Sequence, residues 1–522
     1  MTNKREKDAR MISVAFLIFS IVLFIYSAIT SVNPDSDAFW LIETGRYISK
    51  NGIPKTNPWT YTENLGVIIQ QPLCALFNYW WWTNAGLSGM WQLASIENMV
   101  LIIVMIVYVR LFNKDKTHIF STVALMEVII ALSGIGSTRP YQLTMTNMFL
   151  LLGALEKARQ KDSMKLVYIA TFLTTLFQAN YQMASVWIIP CFISVYVFGT
   201  GFNRLKNKER IREGRFVQWI AVYVLWFLVS LLNPYKLKGM KYLLLSRQSL
   251  SLVGNKIVEL NKPQIISATG VMIFAVICSL VYKYKKQQEL DWCEIFLLLG
   301  ASFASSLATR NMWMLIIAFC MIYGKINFDR SSNENNQSPF LKKIKYIFLR
   351  LNNEVWPFTI LNRKPSIDKS KEDSVSANIF SKGFVCASVL AFAFVIISSS
   401  SLGADHIESY NKLIALVDSV PQDSKLYTCF NTGSYAEYLG RKIYVDARPE
   451  LYSSKITGSN DIISEWYNLE WVDMNFEEYV KNNDWEYYLV TKNTPISFYL
   501  SYSGSATLLG EECNQALYKI EN

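Results

Sequence analysis

Histidine is almost missing from this 522-residue chain, which has only His118 and His406. With so few imidazoles, and with eight cysteines that include no CxxC or comparable spacing, a zinc centre of His and Cys ligands is excluded. The sequence also lacks a Ser/His/Asp arrangement, a P-loop and a glycine-rich dinucleotide fingerprint, so the common signatures of hydrolases, NTPases and dehydrogenases do not compete. Charge is scarce as well. Asp, Glu, Lys and Arg make up 18% of the residues against 51% apolar ones, and the apolar residues come in long runs, which excludes a simple soluble protein. No internal repeat is visible. Cys74, Cys191, Cys278, Cys293, Cys320 and Cys386 lie in or beside apolar segments and read as small hydrophobes. Cys429 and Cys513 share the final polar region, where a disulfide could join them if that region is extracytoplasmic.

What the chain does have is a series of apolar runs punctuated by basic segments. Lys4, Arg5, Lys7 and Arg10 precede the run 11–30, which is longer than a signal-peptide core, has no small-residue cleavage pattern and reads as a retained anchor. Further runs follow at 72–85, 90–112, 119–135, 140–156, 165–180, 182–200, 215–232, 265–283, 292–308, 311–328 and 381–402. The net charge of +10 is concentrated between them, in segments around Lys114 and Lys116, at 157–165, 204–215, 283–286 and 330–382. That is the positive-inside pattern of a multi-pass protein of the cytoplasmic membrane, not the basic groove of a nucleic-acid binder. Parity requires one of the two runs between 70 and 112 not to cross. The short, tryptophan-rich 72–85 is the one to lie at the interface or re-enter, leaving about eleven full crossings. The expected fold is thus a polytopic α-helical membrane protein, N-terminus inside. Its parts are a transmembrane core over 1–328 with a first outer loop at 31–71, a cytoplasmic polar linker at 329–380, a last transmembrane helix at 381–402, and an extracytoplasmic α/β cap over 403–522. In the cap, strands are predicted at 425–431, 442–448, 485–491 and 515–520, and helices at 406–419, 460–468 and 476–483.

The first outer loop carries Asp35 and Asp37 where the chain leaves the membrane. From Asp37 to Lys50 it reads as an amphipathic helix, ended by Gly52 and Pro54 and lying flat in the interface. The other unusual polar residues also fall at outer ends of runs: Arg139 with Gln142, Asn180 with Gln182, Asn233 with Tyr235, Glu259 in the following loop, and Arg310. Each has a plain structural explanation: an arginine snorkelling to head groups, an Asn-Pro ending a helix, an aspartate capping one. Together on one face they suit group transfer from a phosphate-linked lipid. Arginines would steady the leaving phosphate, a carboxylate would take a proton from an acceptor hydroxyl, and amides would orient a sugar.

The run DSDAFWLIETGRYISKNGIPKTNPWTYT resembles the first outer loop of bacterial proteins related to the GT-C glycosyltransferases, whose broader relatives include protein mannosyltransferases and lipid A aminoarabinose transferases. The resemblance continues through Arg139-Pro140-Tyr141-Gln142, Asn180-Tyr181-Gln182, Asn233-Pro234-Tyr235, Glu259 and Arg310, and into the cap at FNTGSYAEYLG and IYVDARPELY. It implies a GT-C-like helical core and transfer of a sugar, usually with inversion, from a polyprenyl-phosphate donor to an envelope glycan, lipid or protein at the outer face. The aspartate of the first outer loop would be the base, here Asp37 with Asp35 as the nearby alternative. Arg139 and Arg310 would hold the lipid phosphate. Asn180, Asn233 and Glu259, with Gln142, Gln182 and Tyr235, would shape the sugar or acceptor pocket, and Asp446 and Arg448 would line the cleft from above or form an ion pair inside the cap. Leu41, Gln71-Pro72 and Tyr181 depart from the residues often found at those positions, histidine, Glu-Trp and histidine.

No cofactor is demanded, although Asp35, Asp37 and Glu259 could bind a divalent metal if they converge. The alternatives are a non-catalytic scaffold or lipid-glycan transporter in envelope assembly, or an assembly partner using the cap for protein contacts. Inner-side carboxylates on a polar path would mark a transporter, and the sequence offers few.

Overall fold

The computed structural model describes residues 36–112, 139–161, 163–208, 215–249, 268–287, 291–323, 325, 404–458, 461–471 and 475–521. The runs 11–30, 119–135 and 381–402 and the linker 329–380 lie outside those residues. The chain is mostly helical with one small sheet near its C-terminus. In the helical part, α1 (Asp37–Asn51), α2 (Pro72–Ala85) and α3 (Gly89–Phe112) are followed by α4 (Tyr141–Lys161), α5 (Lys165–Tyr181), α6 (Ile188–Lys206), α7 (Arg215–Ser230), α8 (Leu237–Ser249), α9 (Ala268–Gln287), α10 (Trp292–Leu307) and α11 (Trp313–Tyr323). Most follow the apolar runs closely. α8 was not expected, because its mixed KYLLLSRQS sequence has no clean apolar face. α2 has 14 residues and spans ~21 Å, short of the ~30 Å hydrocarbon core of a bilayer. Among the described residues, one continuous helical stretch, Met183–Lys206, is by itself long and apolar enough to cross a membrane.

A polar seam runs inside this otherwise apolar bundle. Gln142, Thr144, Asn147, Thr171, Thr175 and Gln178 are buried between α4 and α5, where Asn147 Nδ2 donates to the Thr174 carbonyl at 3.1 Å and Thr144 Oγ1 to Gln182 Oε1 at 2.8 Å. Large apolar side chains face outward, with Phe216 74% and Phe303 68% exposed. At the bundle's far end, the ~30 Å length of α4 away from Asp37, three acids meet three bases. Arg159 reaches Glu156 at 2.6 Å and Asp291 at 2.8 Å, Lys325 reaches Glu156 at 2.9 Å, and Lys283 holds Glu294 at 2.5 Å. The three carboxylates are gathered by folding, and each is ion-paired.

In the cap, α12 (Ala404–Asp418) leads into β1 (Leu426–Thr428), and α13 (Gly433–Tyr438), α14 (Ile462–Trp471), α15 (Phe476–Asn482), β2 (Tyr487–Thr491), α16 (Pro495–Tyr502), β3 (Ala506–Glu512) and β4 (Gln515–Ile520) follow. The sheet order is β1-β2-β4-β3, with β1 and β2 parallel and the other pairs antiparallel. The strand predicted at 442–448 does not form. Its backbone is satisfied elsewhere: Ile443 N–H donates to the Trp59 carbonyl at 2.7 Å, Thr428 Oγ1 bridges Tyr444 N–H and the Val445 carbonyl, and Arg448 N–H donates to Asp446 Oδ1. The segment pairs with the first outer loop instead of the sheet. Gly433 permits this, since a Cβ there would stand 2.0 Å from the Val445 carbonyl oxygen. Cys429 and Cys513 are both free, so the possible disulfide is not formed: Cys429 is buried against Thr432 and Thr491, and Cys513 sits in the β3–β4 hairpin turn with φ 50°.

A second correction concerns α1. Instead of lying with one face in an interface, it is buried on every side from Ala38 to Gly45. Phe39 packs against Tyr410, Tyr435 and Tyr438 of the cap, while Gly45 lies so close to α2 that a Cβ would stand 2.1 Å from the Ala75 carbonyl oxygen. A short apolar-rich helix with polar residues interspersed is as well suited to a packed joint as to a lipid surface.

Candidate active site

Two helix starts converge at the site. Asp37 is the first residue of α1, where the carboxylate also meets the positive end of the helix dipole, and Arg139 lies two residues before α4. Arg139 Nε stands 2.9 Å from Asp37 Oδ2, with the side chains 23% and 17% exposed, so the pair is formed and still reachable. Asp37 Oδ1 accepts a hydrogen bond from Trp40 Nε1 at 3.0 Å. Trp40 was not singled out from the sequence, although its i+3 position on the same helix face was the available signal.

The other expected residues are placed unevenly. Asp35 and Glu259 lie outside the described residues, as does the side chain of Arg310, whose backbone is in the short turn Thr309–Met312. Gln142 is buried in the polar seam below the pair, and Gln182 accepts from Thr144. Asn180, expected in the sugar or acceptor pocket, donates to the carbonyls of Leu176 at 3.0 Å and Leu232 at 3.4 Å. Asn233 is buried and its amide is engaged within its own turn, donating to the Ser230 and Lys236 carbonyls and accepting from Tyr235 N–H, each at 2.8 Å. Tyr235 is a fastener: its hydroxyl accepts from Ile69 N–H at 3.1 Å and donates to the Pro54 carbonyl at 3.2 Å, clipping both ends of the first loop. Two departures from the resembled pattern, Leu41 and Tyr181, meet in one buried cluster with Trp40, Cys74 and Ala75, and Tyr181 donates to Glu97 at 3.4 Å. Among the described residues no three His, Cys, Asp or Glu side chains could hold a metal ion together.

Asp446 and Arg448 do not line a cleft. Both are buried, and of the two possibilities open in the sequence the ion pair is the one built. Asp446 Oδ2 accepts from Arg448 Nε at 3.0 Å and from Nη2, Glu437 Oε2 accepts from Nη2 at 2.6 Å, and Thr44 Oγ1 of α1 accepts from Nη1 at 3.1 Å. Burial pushes Glu437 well above the usual carboxylate range, Arg448 only partly offsetting it. Burial acts on Asp446 in the same direction, but there the guanidinium and its hydrogen bonds win and hold the carboxyl below its ordinary value.

Glu43, also in α1, is raised by burial to about 7 despite Arg46 at 2.7 Å. A carboxyl whose folded-state pKa exceeds its unfolded value binds more protons when folded, so its contribution is full below pH ~4.5 and is lost as the pH rises through about 7. Thermal denaturation of the protein in nanodiscs should accordingly show stability declining across that window by at most ~3 kcal/mol from this group. Glu43→Gln, which cannot ionise, should flatten the slope; an unchanged slope would assign the effect elsewhere.

No protein-family model matches the chain, and no curated protein matches it. Among solved structures it is similar to ArnT from Cupriavidus metallidurans bound to undecaprenyl phosphate, at 12% identity over 97% of both chains with a TM-score of 0.49. It is similar to the same protein in the apo state, at 13% identity over 98% of both chains and a TM-score of 0.48. The apo oligosaccharyltransferase of Archaeoglobus fulgidus is similar at 11% identity, over 92% of this chain and 69% of that one, with a TM-score of 0.47. At this level these similarities stand as likenesses of chain path, and the chemistry below is taken from the residues.

Proposed function

We propose that this chain is an integral-membrane glycosyltransferase of the GT-C kind, moving a sugar from a polyprenyl-phosphate donor to an envelope acceptor at the outer face. The observation that carries the reading is the Asp37–Arg139 pair at 2.9 Å, a carboxylate and a guanidinium from distant parts of the chain held together in a mostly buried but reachable position. The large apolar side chains that face outward, such as Phe216 and Phe303, support a lipid environment, because a helical protein in hydrocarbon needs an apolar outer surface. About eleven crossings and an outer cap follow from the charge pattern.

The chemistry requires little machinery. An acceptor hydroxyl oxygen attacks the anomeric carbon, its proton passes to Asp37 Oδ2, and the bond from that carbon to the phosphate oxygen breaks, the electron pair leaving on the polyprenyl phosphate. Arg139 has both tasks in reach. Paired with Asp37 it neutralises the carboxylate. When the donor phosphate draws the guanidinium to itself, Oδ2 loses that contact and becomes the better proton acceptor, so the base is strengthened once a leaving group is in place. Among the described residues the three far-end carboxylates, Glu156, Asp291 and Glu294, are each ion-paired, which counts against the transporter alternative.

The test is transfer of radiolabelled glucose, mannose, galactose and arabinose from polyprenyl-phosphate donors into envelope material, comparing membranes with and without the protein. Transfer that depends on the protein is expected for at least one donor. No dependence across the panel would replace this reading with the scaffold or transporter one.

A further inference from the structure

We infer that Arg448 of the cap is a positioning residue for Asp37, acting through the ring of Trp40. The inference rests on the transferase reading, and deepens it by making the cap part of the site without contact with the reacting atoms.

The link runs through three contacts. Arg448 is fixed first: Asp446 takes its Nε and Nη2, Glu437 takes Nη2, and Thr44 takes Nη1, so both ends of the planar fork are held. Its guanidinium carbon then lies 4.7 Å from the centre of the Trp40 ring and 5.1 Å from that of Trp59. Trp40, buried among Leu41, Cys74, Ala75 and Tyr181, has its indole N–H aimed at Asp37 Oδ1. An indole can turn about two torsions, and a turn of either would withdraw the N–H from the carboxylate. Arg448 covers the ring face and also grips Thr44, one helical turn further along α1 on the same side. With Oδ1 held by Trp40, Oδ2 is the oxygen left to Arg139, and to the proton once Arg139 moves to phosphate. A lysine would keep the charge at 448 but lose the fork that sets its orientation.

A simple docking role for Arg448 is the competing explanation, and a double-mutant cycle separates the two. Trp40→Phe keeps a smaller aromatic face for Arg448 and removes the N–H; Arg448→Lys keeps a cation and loosens the ring. Should Arg448→Lys fail to accumulate, Thr44→Val takes its place, freeing one end of the fork at nearly constant volume. Full-length protein in nanodiscs is assayed with whichever donor of the panel the wild type uses. Each single variant is expected to lower kcat about 10-fold to 100-fold with donor KM unchanged, and the double variant to be little slower than Trp40→Phe alone. Independent, multiplying losses, or a rise in KM without a fall in kcat, would reduce Arg448 to a docking residue. A second readout needs no turnover. The Trp40 indole N–H resonance, assigned by its disappearance in Trp40→Phe, should exchange with solvent faster in both Arg448→Lys (or Thr44→Val) and Asp37→Asn, and unchanged exchange in the 448 or 44 variant overturns the inference even if no donor is found. Asp37→Asn separates the failures: full activity in that variant removes the transferase base, whereas its inactivity with an additive cycle removes only the part given to Arg448.

Discussion

Asp37→Asn should lower sugar transfer by about 10²-fold to 10⁴-fold while the protein still accumulates in membranes. The amide keeps the volume of the carboxylate and can still accept from Trp40, so the site should remain assembled, but it cannot take a proton from an acceptor hydroxyl. The pattern of the loss is as informative as its size. Since Asp37 also competes with the donor phosphate for Arg139, its neutralisation should leave donor KM unchanged or lower it, so that the effect falls on kcat. Transfer within about 3-fold of wild type would remove Asp37 from the role of base.

The second large effect is on stability. Asp446→Ala strands Arg448 in a place where it is buried from solvent, and removing one partner of a buried ion pair costs about 3–5 kcal/mol. The actual figure should lie toward the lower end. Glu437 Oε2 already lies 2.6 Å from Arg448 Nη2 and remains as a second carboxyl partner for the guanidinium. Thermal denaturation in nanodiscs gives the overall loss, and limited proteolysis should show the cap opening before the helical part. A variant as stable as wild type would mean that the cap is held by its apolar contacts alone, such as Phe39 with Tyr410, Tyr435 and Tyr438.

The two predictions meet at α1, and it is at α1 that reading the sequence worked best and failed most clearly. Its bounds, Asp37–Asn51, follow from local chemistry that any short window contains: an acidic first turn and a Gly52 with φ 77° at the end. Its surroundings do not. Apolar and polar residues interspersed over four turns fit an interfacial helix, and nothing local announces that α2 will cover one side and the cap the other. The cap shows the same division. The strands β2 and β4 were legible as short runs rich in apolar and aromatic residues, whereas the similar 442–448 gives its hydrogen bonds to Thr428 and the first loop. Strand propensity describes a residue's fit to a pleated surface and carries no information about which partner arrives.

By itself the sequence determined the helical character, the length of most helices, the separate C-terminal α/β region and the residue types able to do transfer chemistry, because these depend on composition and on spacing within a few turns. Only the tertiary structure decided which of those residues meet. It joined Asp37 to Arg139 across a hundred residues, turned Asn233 inward to its own turn, buried Asp446 and Arg448 where a cleft lining was open to them, and gathered the far-end acids onto their bases. A side chain's partners are set by which helix ends are brought together, and that is settled by packing over the whole chain, beyond the reach of any local pattern.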